Sequence, residues 1–112
     1  MNKIDHTFLK TSRYFHMESG LDLLRSGGQV TLSWGIELIT ELTVGKEPRG
    51  MAFNVNGMKF QGTVVLSVNG ADLYEARFYT EGKLVHTITD LYLTNVITEL
   101  DEYIEKQPEY VF

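Results

Sequence analysis

The sequence predicts an α+β domain: an antiparallel β-meander of about four or five strands, with a short N-terminal helix and a C-terminal amphipathic helix packed on one face. Three observations predict it. Alternating apolar and polar residues run from Met51 to Thr89, punctuated by Asn56-Gly57, Asn69-Gly70 and Glu81-Gly82, pairs that accept the positive φ of tight hairpin turns. An apolar stripe at i, i+3, i+4, i+7 spacing occupies residues 92–106. With 112 residues, 43% hydrophobic and 22% charged, the chain is long enough to bury one core without a metal or disulfide staple. The expected organisation is an N-terminal arm over 1–16, one domain over 17–107 and a short tail over 108–112.

Residues 1–16 show neither helical nor strand periodicity, which is why they are expected to be an arm that frays or orders against a partner. Residues 17–26 read as a helix with Ser19 as its cap, Leu21, Leu23 and Leu24 as its apolar side, and Gly27-Gly28 as its left-handed stop. Over 29–34, Val30, Leu32 and Trp34 alternate with Gln29, Thr31 and Ser33 as in a strand, which Gly35 interrupts. The segment 36–44 fits a strand through Ile36, Leu38, Leu42 and Val44 and a helix through Leu38, Ile39 and Leu42; Thr40 and Thr43 favour the strand. Gly45 to Gly50, with Pro48 between, reads as a connecting loop.

The meander follows. Residues 51–55 and 58–60 flank the Asn56-Gly57 turn, Gln61-Gly62 reads as a bulge, and Val64, Leu66 and Val68 continue one face to Asn69-Gly70. Tyr74, Ala76 and Phe78 alternate with Glu75, Arg77 and Tyr79. After Glu81-Gly82, Leu84, His86 and Ile88 share a face. Such alternation implies one sheet face on the core and the other toward water or a partner. The last helix is expected over 92–106, capped by Asp90, with Leu93, Val96, Ile97, Leu100, Tyr103 and Ile104 on the sheet and Pro108 as its stop.

Charge and chemistry narrow the function classes. The absence of cysteine removes thiol catalysis, cysteine-ligated metal and disulfide scaffolds. Without an apolar block near the N-terminus or a membrane-spanning run, the expectation is a cytoplasmic protein. His6, His16 and His86 lack metal-ligand spacing, Ser67 lacks a nucleophile elbow, and Gly27-Gly28 does not lead into a helix as a phosphate loop does. His86 on a strand face reads as a core-edge histidine. No enzymatic activity, cofactor or metal is expected. The net charge is −5; residues 1–49 hold six basic and six acidic side chains, and 50–112 hold four and nine, so the acidity is C-terminal.

Glu99, Asp101, Glu102 and Glu105 concentrate that acidity on the terminal helix, in its latter half, where the helix macrodipole disfavours negative charge. The expectation is therefore a protein-binding accessory protein whose acidic face meets a basic protein surface, for instance a nucleic-acid channel, by electrostatic complementarity. Trp34, the sole tryptophan, is a candidate anchor and a candidate interface hot spot. The alternative is single-stranded nucleic-acid binding through Lys10, Arg13, Tyr14 and Phe15, assisted by strand aromatics. Two free sheet edges make a homodimer the expected assembly, with Tyr110-Val111-Phe112 as a candidate edge cover.

The run Leu24-Arg25-Ser26-Gly27-Gly28, then Trp34-Gly35, Asp72-Leu73-Tyr74 and Asp90-Leu91-Tyr92, resembles a small family of uncharacterised proteins of bacteriophages and other mobile elements, over residues 20–105. The resemblance implies the same α+β layout and a phage or mobile-element context in a bacterial host's cytoplasm, where the acidic face is expected to inhibit a host defence or nucleic-acid-processing complex. It implies no activity, and a structural phage role is a further alternative. Two positions depart from that pattern: Ile36-Glu37 stands where a small residue and a lysine are usual, and Leu93-Thr94 where Ala-Asp is usual.

Overall fold

The computed structural model describes residues 7–105. A 3-10 turn, Thr7–Thr11, precedes helices α1 (Met17–Ser26) and α2 (Gln29–Leu32). Strands β1 (Glu37–Val44), β2 (Glu47–Asn56), β3 (Gln61–Val68), β4 (Tyr74–Thr80) and β5 (Lys83–Leu91) follow, then helix α3 (Val96–Ile104). The strands form one antiparallel sheet in the order β1-β2-β3-β4-β5, the α+β meander the alternation predicts.

The core lies on one face of this sheet. Met51, Phe53 and Val55 of β2, Val64 and Leu66 of β3, and Ala76 and Phe78 of β4 are buried against Leu23 and Leu24 of α1, Trp34, and Val96, Leu100 and Ile104 of α3. Each fully buried aliphatic side chain in that set contributes about 1.5–3 kcal/mol relative to exposure. Gly20 lets α1 lie close against Phe15 and the sheet. A Cβ there would stand 2.8 Å from the Phe15 ring and 3.2 Å from Met51 Sδ.

The opposite face is not left to water. Leu9 packs beside Gly50, and the Arg77 guanidinium lies 3.8 Å from the centre of the Phe8 ring. Arg49 donates to the carbonyls of Leu9 and Ser12. Residues 7–16, expected to be an arm, therefore run along the domain, with Leu9 and Phe15 both 1% exposed. The apolar residues in that segment have no helical or strand period because they serve two different faces.

Several local expectations are corrected. Residues 29–32 form a helical turn rather than a strand, since Thr31 and Trp34, three apart, point inward while Val30 and Leu32 are exposed. The Thr31 hydroxyl holds this turn by donating to the carbonyls of Leu24 and Gly28. Helix α1 begins after His16, and Ser19 makes no cap; its hydroxyl meets His16 Nδ1 at 3.3 Å. Residues 36–44 do contain a strand, but the expected loop at 45–50 contracts to Gly45-Lys46, with Val44 opposite Glu47. Pro48 is tolerated in β2 because β2 pairs with β3 only from Gly50 onward, and the Phe15 amide bonds the Pro48 carbonyl.

Of the three Xaa-Gly pairs only Glu81-Gly82 is a two-residue turn, with φ of +51° and +80° and Thr80 opposite Lys83. At Asn56-Gly57 the connection spans residues 57–60, because Phe60 is buried and the Lys59 and Phe60 amides both donate to the Ile104 carbonyl. After Val68 the connection spans 69–73, where Asn69 Oδ1 accepts the amides of Ala71 and Leu73. Gly62 forms no bulge against β2, where Gly62 pairs with Val55 in continuous register. A Cβ on Gly62 would come within 2.2 Å of the Tyr79 carbonyl oxygen. Helix α3 starts four residues after its expected start: Asp90 has φ +56° and caps nothing helical, and the Tyr92 amide bonds Asn95 Oδ1 to make a preceding turn. Leu93 is exposed and leaves the apolar stripe. The expected helix end at Lys106 and the tail residues Pro108 and Tyr110 to Phe112 lie outside the described residues.

Candidate functional site

Helix α3 carries the four acids, and the structure separates them into two pairs. Asp101 Oδ1 accepts the indole N–H of Trp34 at 3.0 Å, and Glu105 Oε2 accepts the Met58 amide. Those two carboxylates tie the helix to the α2–β1 junction and to the β2–β3 connection. Glu99 and Glu102 are exposed. The Lys59 ammonium donates to the Glu102 carbonyl, placing a cation at the C-terminal end of α3. That contact offsets the macrodipole penalty on Asp101 and Glu102, whereas Glu99, expected in the latter half, lies in the first turn of α3, where negative charge is favoured.

Glu99 and Glu102 border a shallow depression between α3 and β5, also lined by Thr87, Ile88 and Thr89. At its side His86 stacks on Tyr103, ring centres 4.3 Å apart and planes 5° from parallel, with Phe78 behind at 5.6 Å from His86. His86 is exposed, so its place is the sheet edge, stacked on the helix.

Trp34 is 0% exposed, with its N–H already bonded, so this side chain is an internal anchor and not a surface for a partner. The basic–aromatic patch does not assemble either. Lys10, Arg13 and Tyr14 are exposed, but Phe15 is buried in the core, and Arg13 lies 3.8 Å from Asp72 and donates to the Gly70 carbonyl. Phe53, Phe60, Phe78 and Tyr79 are buried, and Tyr74 is half-buried edge-on against Phe15, so these aromatics form no exposed row on which bases could stack.

The feature that sequence reasoning missed is a groove between the α1–α2 pair and the first edge strand. Leu21, Leu24, Thr31, Leu32, Ile36 and Ile39 line it, Arg25 stands at its rim, and it encloses about 630 Å³. Arg25 is tied to Asp22 at 2.8 Å. Beside the groove, β1 pairs only with β2, which leaves its other edge without a strand partner among the described residues. A bulge sets Leu38 and Ile39 against the single residue Phe53, with Leu38 at φ +55°. Leu32, which lines the groove, is 72% exposed, and Leu38 in the neighbouring bulge is 73% exposed. The adjacent apolar pair Leu38-Ile39, which breaks the strand's alternation, was the one sequence signal for it.

Among the described residues no three His, Asp or Glu side chains come together as a metal-holding group, and no helix is long and apolar enough to cross a membrane. Comparison with protein-family models, curated proteins and solved structures gave no match.

Proposed function

We propose that this chain is a protein-binding domain that takes up an extended segment of a partner along β1, with the partner's apolar side chains entering the groove. One observation carries the reading: a strand edge that is open among the described residues lies directly beside an apolar concavity at which Leu32 and Ile39 are exposed. Strand addition supplies main-chain hydrogen bonds, and alternate side chains in a pocket supply specificity. The opposite edge, β5, exposes Leu84 and Val85 but adjoins smaller depressions, one at His86 and one beside Phe8 and Arg77. An array of random decapeptides, probed with the protein and with its Leu32→Glu variant, tests this. Binding to peptides with alternating apolar residues, lost in the variant, supports the reading. Binding that Leu32→Glu leaves intact overturns it.

A second reading keeps the acidic helix face as the contact for a basic protein surface, through its two exposed acids Glu99 and Glu102. Charge reversal of Glu99 and Glu102 together is its test. Unchanged binding to a polylysine-coated surface would end it.

A further inference from the structure

We infer that the segment β1 receives is a basic one from a different protein rather than β1 of a second copy; this rests on the strand-addition reading above. Strand β1 carries Glu37 and Glu41, both exposed, and no lysine or arginine. Glu41 stands opposite Met51, which faces the core side of the sheet, so Glu41 lies on the groove side of the strand. Glu37 stands opposite Asn54 and lies on the other face.

Pairing β1 with its own twofold-related copy brings four carboxylates into one strand pair with no cation between them. In the register centred on Glu41, that residue meets itself on the groove face. Like charges placed across a strand pair are destabilising, and opposite charges are favourable. The same glutamates that repel a second copy therefore select a strand with lysine or arginine opposite Glu41. Since side chains two apart share a face, the residue two positions from that cation enters the groove beside Ile39, and an apolar side chain fits there. The nearest rim cation, Arg25, is already neutralised by Asp22 and does not compete for the role.

The test uses three decapeptides with one alternating Val/Thr/Ile framework and Lys, Gln or Glu at a single central position. Affinities are measured by fluorescence anisotropy against the full chain and against Glu41→Lys, an exposed change whose fold is checked by circular dichroism. The expected order on the native chain is Lys over Gln over Glu, with Lys about fivefold tighter than Gln, the upper range for a cross-strand charge pair. In Glu41→Lys the order inverts, and raising the salt concentration compresses both series. Three equal affinities, or an order that Glu41→Lys leaves unchanged, overturn the basic preference and leave the groove reading standing. No binding by any of the three overturns the strand-addition reading itself. A particle of twice the 12.8 kDa chain mass in sedimentation, lost on Leu38→Lys, identifies a second copy as the occupant and overturns the inference.

Discussion

The split of the acidic helix into internal and exposed carboxylates makes a sharp prediction about Asp101. Replacing it by alanine removes the acceptor for a Trp34 N–H that sits in a side chain with no exposure. Leaving such a donor unpaired costs about 2 kcal/mol, within the 1–3 kcal/mol range for a buried polar group. Alanine's better helix propensity, and removal of a negative charge near the helix C-terminus, together return roughly 0.5 kcal/mol. The net loss is then about 1.5 kcal/mol. For a chain of 112 residues, unfolding entropy near 2.1 cal/mol/K per residue converts this to a Tm about 6 °C lower. Asp101→Asn, which keeps an acceptor oxygen, is expected to lose about half as much. Glu99→Ala should stay within about 2 °C of the native Tm, as surface changes do. Thermal unfolding followed by emission of the sole tryptophan measures all three. A Tm for Asp101→Ala within 2 °C of that for Glu99→Ala would show that the indole contact carries no stability, and the division of the four acids would fall.

Other substitutions test the packing. Leu9→Ala is expected to cost about 2–3 kcal/mol in urea unfolding, the penalty of a buried leucine, whereas a frayed arm would lose under 0.5 kcal/mol. Gly62→Ala is expected to abolish stable folding, because the new Cβ meets the Tyr79 carbonyl oxygen at 2.2 Å; Gly70→Ala, with open space around it, should be neutral or slightly stabilising by circular dichroism melts. Burial raises the Tyr74 phenol above its usual value of 10.0. Its contribution to stability is therefore whole below that value and declines as pH rises through the raised folded one. In an ultraviolet titration the late-ionising tyrosine absorbance is expected to shrink in Tyr74→Phe.

The strands were legible because period-two alternation survives wherever one face is buried, as in Tyr74, Ala76 and Phe78. Turn lengths were less so. Asn56-Gly57 has ideal hairpin chemistry, yet burial of Phe60 and the Ile104 carbonyl draw the chain into a wider connection. Helix α2 escaped notice because four residues hold barely one period, and Val30, Leu32 and Trp34 alternate by accident of a sharp turn. For the site, counting acids on α3 located the charge, but only the contact between Trp34 and Asp101, 67 residues apart, shows which of them are occupied. The groove was hidden for the same reason: α1, α2 and β1 each contribute one wall, and none carries the pattern alone.

In this meander every strand's neighbour in space is also its neighbour in sequence, across connections of two to five residues. Closing such short loops is entropically cheap, so the hairpins can assemble early and quickly. Helix α3 is different, since Val96, Leu100 and Ile104 must return to strands β2 and β3 formed many residues earlier. Its docking is therefore expected on the late side of the folding barrier. Substitutions there, Asp101→Ala among them, should steepen the rate of unfolding and leave refolding close to its native speed in a chevron plot, so that α3 sets how long the folded molecule lasts rather than how fast it forms.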